Sequence, residues 1–228
     1  MPISFISVVY KNHAMRHRYL QYHLGDVKPE GSDVIVINRI PEYRALENVL
    51  TSNVPWFKTL DLFNIEDDYR SKMIAMSHAT NDIIAFMYPY GHYSKNALQR
   101  AEEIIKNGDF TGVIFGNQII INPINGCTYR SKARVNVAIN SLIVHRRALD
   151  GVSNVNSHLS ASLYNVLSSK GQVCTLGNNG EYLEFMEYDG VSIAAKPKIL
   201  GGSKDTDKMN TKIAKEALAY LADSVVIN

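Results

Sequence analysis

The stretch that most constrains this chain is residues 69–102, and within it Asn-Asp-Ile-Ile-Ala-Phe-Met-Tyr-Pro-Tyr-Gly-His at 81–92. Asp82 opens a run of five apolar residues, 83–87, too short to carry helical periodicity and therefore read as a buried strand. Pro89 and Gly91 break the run. Beyond them Ser94 offers a helix N-cap, and Ala97, Leu98, Ala101, Ile104 and Ile105 form a helical stripe. Residues 72–79, before the strand, form a second helical piece. Helix, buried strand, polar break and helix make one α/β unit. In open α/β sheets ligands sit beyond the C-terminal ends of the strands. The break at 88–92 is thus the first place to expect a site.

The neighbouring segments extend the pattern. Residues 3–10 (Ile-Ser-Phe-Ile-Ser-Val-Val-Tyr) and 33–38 (Asp-Val-Ile-Val-Ile-Asn) are β-branched, apolar runs of the kind buried on both faces of a parallel sheet. Residues 13–24 predict a helix ending near Gly25, 41–51 another, and 59–63 a short third strand. This β-α-β-α alternation up to about residue 106 predicts a mainly parallel sheet flanked by helices. After Gly108, residues 112–122 and 135–144 are strand-like around a turn cluster at 123–126, which points to a mixed sheet. Residues 146–149 start a helical turn, 159–168 predict a helix closed by Gly171, and 173–176 and 182–188 read as strands. The expected domains are 1–200 and 201–228, the second made of a hinge at Gly201-Gly202-Ser203 and an amphipathic helix at 207–222.

Composition limits the class. A chain of 228 residues with 46% hydrophobic and 20% charged residues buries an ordinary core, and a net charge of +2 is too small to argue for nucleic acid. Two cysteines give neither a disulfide framework nor a metal spacing. Without a long apolar run or a basic leader, the expectation is a soluble, cytoplasmic protein with no membrane span.

In order and spacing these segments resemble a family-2 glycosyltransferase of the GT-A fold, over about residues 3–175. Ser-Val-Val-Tyr-Lys-Asn at 7–12 sits where that family has its first strand and loop. Residues 33–38 resemble its second strand, with Asn38 where an aspartate normally meets the nucleoside. Ala-Thr-Asn-Asp-Ile-Ile-Ala-Phe-Met at 79–87 is similar to its Ala-x-Gly-Asp-Tyr-Ile-Ala-Phe-Leu run, with Lys72 in the preceding basic position. Leu-Ile-Val-His-Arg-Arg-Ala-Leu at 142–149 resembles its strand into an Arg-Arg turn. The resemblance implies a nucleotide-sugar donor bound by Tyr10, Asn12, Asn38, Lys72, Tyr88, Tyr90, His92, Arg146 and Arg147.

Two departures qualify that expectation. The family's Asp-x-Asp pair, which holds a divalent metal on the donor diphosphate, falls here on Tyr88 and Tyr90. A phenol with a pKa of about 10 is a poor ligand for Mg²⁺ or Mn²⁺, which want carboxylate oxygens, so a divalent metal cofactor is left open and no protein ligand is assigned to it. The family's base carboxylate is also missing: residues 156–160 are Asn-Ser-His-Leu-Ser, and His158 alone could accept a proton near neutrality.

Each candidate has a plainer alternative. Tyr88, Tyr90 and His92 are either a metal-free ligand edge or a packed aromatic turn. Arg130, Lys132 and Arg134 alternate onto one face of an extended segment, either as a solvated stripe or as a contact for a diphosphate or an anionic acceptor. His13, His17 and His23 do not gather on one helix face and are read as structural or exposed. Asp67 and Asp68 are expected as solvated charges at the end of the sheet away from the site. The function predicted is transfer of a sugar from a nucleotide-sugar to an acceptor left open among glycan, lipid, protein and nucleic acid. The alternatives are an inactive binding module of the same fold, or a transferase acting on modified nucleic-acid bases.

Overall fold

The computed structural model describes residues 1–9, 14–39, 54–63, 65, 68–87, 91–116, 119–121, 128–130, 141–150, 167, 170–177, 182–185 and 203–205. In chain order they form β1 (Ile3–Val9), α1 (Ala14–Val27), β2 (Asp33–Asn38), β3 (Phe57–Asp61), α2 (Asp68–Ser77), β4 (Ile83–Met87), β5 (Gly91–Tyr93), α3 (Lys95–Asn107), β6 (Gly112–Gly116), β7 (Ile119–Ile121), β8 (Thr128–Arg130), β9 (Leu142–His145), a 3-10 turn (Arg146–Leu149), β10 (Val173–Gly177), β11 (Tyr182–Phe185) and β12 (Ser203–Asp205).

The main sheet has seven strands in the order β10-β6-β9-β4-β1-β2-β3. All neighbours are parallel except β9, which runs antiparallel to both β4 and β6. Alternation along β1 sends Ile3 and Phe5 to one face and Ile6 and Val8 to the other, and each face carries its own core. One core holds Leu20, Leu24 and Val27 of α1 with Ala97, Leu98, Ala101 and Ile105 of α3. The other holds Ala75 and Met76 of α2 with Ala148 and Leu149 of the 3-10 turn. The predicted mainly parallel mixed sheet flanked by helices is therefore the observed class.

A second, five-stranded sheet, β12-β8-β7-β11-β5, was not legible in the sequence. Its strands are short, and residues 112–122, which read as one strand, divide after Gly116 between the two sheets. Tyr93 joins this sheet to the first. Its ring is buried beside Phe5, Phe115 and Tyr182, and its hydroxyl donates to the Phe86 carbonyl at 2.9 Å. Pairing of β4 with β9 stops at Ala85, so the Tyr93 phenol satisfies a carbonyl one residue beyond the ladder.

Several boundaries shift for physical reasons. Helix α1 runs through Gly25 to Val27, because buried Leu24 and Val27 outweigh the cost of about 1 kcal/mol for an internal glycine. Strand β3 begins at Phe57, whose side chain is buried, rather than at Thr59. The segment 88–92 is not wholly a break, since Gly91 and His92 belong to β5. Ser203 of the expected hinge starts β12, which pairs antiparallel with β8. Helix α3 follows the sequence closely: the Ser94 hydroxyl accepts from Ala97 N at 3.1 Å, and Gly108 closes the helix at φ 83°. The predicted helices at 41–51 and 207–222 lie outside the described residues. Among the described residues no helix is long and apolar enough to cross a membrane.

Candidate functional site

Strands β1, β2, β3 and β4 are mutually parallel, so Val9, Asn38, Asp61 and Met87 all end at one edge of the main sheet. At that edge the Asn38 amide donates to Asp61 Oδ1 at 3.1 Å, and Leu62 N donates to the Asn38 carbonyl at 2.9 Å. Asn38 is fully buried and Asp61 exposed, so the pair runs from the core to the surface. Val34 and Val36 lie in the α1 core, and by alternation Asn38 shares their face; Asp61 does so through Phe57. One row below, Ser7, Val36 and Thr59 are in register. The Ser7 and Thr59 hydroxyls are buried and find no hydrogen-bond partner among the described residues. An unsatisfied buried hydroxyl is costly, so the row beneath this edge carries polar groups that the described residues leave unanswered.

Lys72 approaches the same edge from the other face. It lies one helical turn before Ala75 and Met76, whose side chains enter the second core, and is itself buried. Because α2 starts after β3, its first turn lies at the C-terminal edge of the sheet. Asp68 is therefore at the site's edge, not at the opposite one as its sequence context suggested.

His92 is placed differently from an open ligand edge. It is 7% exposed and stacks on His23 of α1, the rings 4.0 Å apart and 25° from parallel. His23 Nε2 accepts a hydrogen bond from Tyr93 N at 3.1 Å, so that nitrogen carries no proton. Burial holds His92 down at about 4, opposed by the Asp26 carboxylate. Burial, then the His92 ring, holds His23 well below its ordinary value. His23, read as one of three histidines without a common role, is thus part of the core.

Arg146 and Arg147 are also displaced from the expected site. Because β9 is antiparallel to β4, its C-terminal end meets the start of β4, with His145 opposite Ile83. The Arg146 guanidinium donates to the carbonyls of Ala79 and Asn81 at 2.8 and 2.9 Å, and its backbone N–H to Asp82 at 2.7 Å. It fastens the turn between α2 and β4 at the edge remote from Asn38. Arg147, exposed, lies beside it in the same 3-10 turn, its N–H bonded to His145 Nδ1 at 3.2 Å.

Arg130 ends β8, paired with Ile119 and Ser203. Tyr10, Asn12, Tyr88, Tyr90, Lys132, Arg134 and His158 lie outside the described residues; Tyr10 follows β1 and Tyr88 follows β4 in the chain. No three or more His, Cys, Asp or Glu side chains gather to hold a metal ion among the described residues. The residues at 88 and 90 are phenols, a donor set that does not fit the divalent ion the fold family uses. Asp61 is a candidate site residue that the sequence did not point to. The strand containing it was read two residues late, which hid its terminal position beside Asn38.

No protein-family model and no curated protein matches the chain. Solved structures do. The mannosyltransferase PcManGT from Pyrobaculum calidifontis, in complex with GDP-Man and Mn2+, matches with a TM-score of 0.61 at 11% identity, over 98% of this chain and 73% of that one. Residues 1–349 of TarS from S. aureus, with UDP-GlcNAc, match with a TM-score of 0.58 at 13% identity, over 96% of this chain and 72% of that one. A further structure of the same TarS fragment matches with a TM-score of 0.58 at 13% identity, over 98% and 71%. The fold is that of the GT-A glycosyltransferases.

Proposed function

We propose that this GT-A-type chain transfers a sugar from a nucleotide-sugar donor to an acceptor hydroxyl, with the donor at the edge where β1, β2, β3 and β4 end. The observation that carries the reading is the Asn38–Asp61 pair, a buried amide bonded to an exposed carboxylate at that edge. Such a pair offers both hydrogen-bond donors and acceptors to a base or ribose. The fold relatives solved with GDP-Man and UDP-GlcNAc support the same donor class.

In the proposed reaction the acceptor oxygen forms a bond to the sugar's C1 as the bond from C1 to the diphosphate oxygen breaks. The acceptor proton passes to His158, the candidate base. Tyr10 and Asn12, which follow β1, and Tyr88 and Tyr90, which follow β4, complete the donor edge. Lys72 supplies positive charge from the α2 side, and Arg130, Lys132 and Arg134 are assigned to the diphosphate or to an anionic acceptor. No step is routed through a metal, since the donor set at 88 and 90 does not suit one.

Titrating the protein with UDP, GDP and CMP sugars tests this. Binding of one of them, weakened at least about tenfold in Asn38→Ala, is expected. No binding and no sugar hydrolysis with any of the three would sink the reading. A binding module of the same fold is the second reading, favoured by the phenols at 88 and 90 and by the lack of a carboxylate at 156–160. His158→Ala separates the two: an enzyme loses turnover and keeps donor binding, whereas a module has no turnover to lose.

A further inference from the structure

We propose that the stacked rings of His23 and His92 form an acid-sensitive latch, which holds helix α1 against strand β5 and lets the two part when either ring takes a proton.

The geometry leaves little room for a charge. The rings stack at 4.0 Å, His23 is fully buried and His92 is 7% exposed. A cation on one ring would face the other across that distance in a low-dielectric setting. His23 Nε2 also has to stay unprotonated to accept from Tyr93 N, so protonation there removes a bond that ties α1 to β5 directly.

The groups around the pair tune it. Asp26, three residues along α1 from His23, attracts a cation on His92, and Lys95 at the start of α3 lies 3.6 Å from the Asp26 carboxylate and offsets it. On β11 the residues paired with His92 and Tyr93 are Leu183 and Tyr182, neither charged near neutrality. From the main sheet Phe5 and Phe115 face Tyr93. The burial that holds both imidazoles below their ordinary value agrees with this arrangement.

Release has a local consequence. β5 begins at Gly91, three residues after Tyr88, and among the described residues pairs within the second sheet only with β11. Loss of its hold on α1 leaves β5 with the Tyr93 seat and its pairing to β11.

Trp56, the only tryptophan, lies against α1 at Gly25, and Lys28 of the same region sits 4.8 Å over its ring, so its fluorescence reports α1. The test follows that signal together with hydrogen exchange of α1 and β5 while pH is lowered from 7. The expected result is a reversible opening between 6.5 and about 4, with the amides of β1, β2 and β4 still protected. His92→Phe, which keeps an aromatic ring but cannot charge, is expected to move the opening down by about one pH unit or more. Asp26→Asn removes the carboxylate that tolerates the cation in the closed state, and is expected to move it up. Ordinary carboxylate-driven acid unfolding predicts the opposite shift for Asp26→Asn. An opening unchanged in His92→Phe, or lowered in Asp26→Asn, overturns the proposal. Asp26 is exposed, so its variant decides the matter if His92→Phe fails to fold.

Discussion

The guanidinium of Arg146 reaches across the turn before β4 and donates to the Asn81 carbonyl at 2.9 Å. A second bond to Ala79 uses the same nitrogen, so one side chain satisfies two carbonyls of the turn. Arg146→Gln is expected to cost about 1–3 kcal/mol in urea unfolding, since partly buried carbonyls lose a charged donor. Donor-sugar affinity should be unchanged, because the residue stands at the far edge from Asn38. A variant of normal stability with weakened donor binding would return Arg146 to the site.

Below that turn, Asp33 gathers the starts of four strands. Its carboxylate accepts from Ser4 Oγ of β1 and from Asn81 Nδ2 at 2.9 Å, and Lys58 of β3 lies 3.5 Å away. Asp33 is itself 5% exposed. Asp33→Ala leaves these donors facing an apolar void and is expected to cost about 3 kcal/mol or more. Ser4→Ala and Asp33→Ala together should cost less than the sum of the two singles, measured by a double-mutant cycle in urea.

Asn38 sits 3.1 Å from the Asp61 carboxylate, where a second carboxylate would repel it. Asn38→Asp is therefore expected to destabilise the fold by about 1–2 kcal/mol at pH 7 and to recover on acidification. Adding Asp61→Asn should restore stability at neutral pH. Thermal unfolding of the single and double variants across pH measures both effects.

The histidine pair also sets the sign of the pH dependence. Folded, both rings are neutral; unfolded, each takes a proton below 6.5, and His92 in the fold does so only at about 4. Between those values the unfolded chain binds more protons, so stability is full above 6.5 and falls as pH drops through the window. The expected slope is about 1.4 kcal/mol per pH unit for each ring that stays neutral. Chemical unfolding at pH 7 and pH 5 checks it, and equal stability at the two would contradict the sign.

Gly112 is held by space rather than by an unusual backbone. A Cβ there would stand 3.0 Å from Val144 Cγ2 and 3.1 Å from the Ile143 carbonyl oxygen. The carbonyl belongs to the β6–β9 ladder and cannot swing away. Gly112→Ala is expected to cost about 1–3 kcal/mol in thermal unfolding.

The main sheet was legible because its strands are buried on both faces: Ile83–Met87 and Asp33–Asn38 were read to the residue. Ser94 marked the start of α3 as clearly, by its capping chemistry. The second sheet was not legible, since Gly91–Tyr93 and Thr128–Arg130 are too short to show a period of two. The site fared likewise. Strand order put Asn38 at the C-terminal edge of the sheet, and it stands there beside Asp61. Arg146 was misjudged because an antiparallel β9 reverses which end of the strand its turn occupies, and direction leaves no mark in an apolar run. His92 was misjudged because its partner, His23, comes from a helix far earlier in the chain.

The pairing of β5 with β11 carries a consequence for how the protein is made. A ribosome delivers Gly91–Tyr93 long before Tyr182–Phe185, so during synthesis β5 has α1 and the main sheet to rest on but no strand beside it. Contacts that close so large a loop form slowly. The β5 edge therefore waits for this partner until β11 emerges, while Phe5 and the Phe86 carbonyl, both earlier in the chain, are already made when Tyr93 arrives.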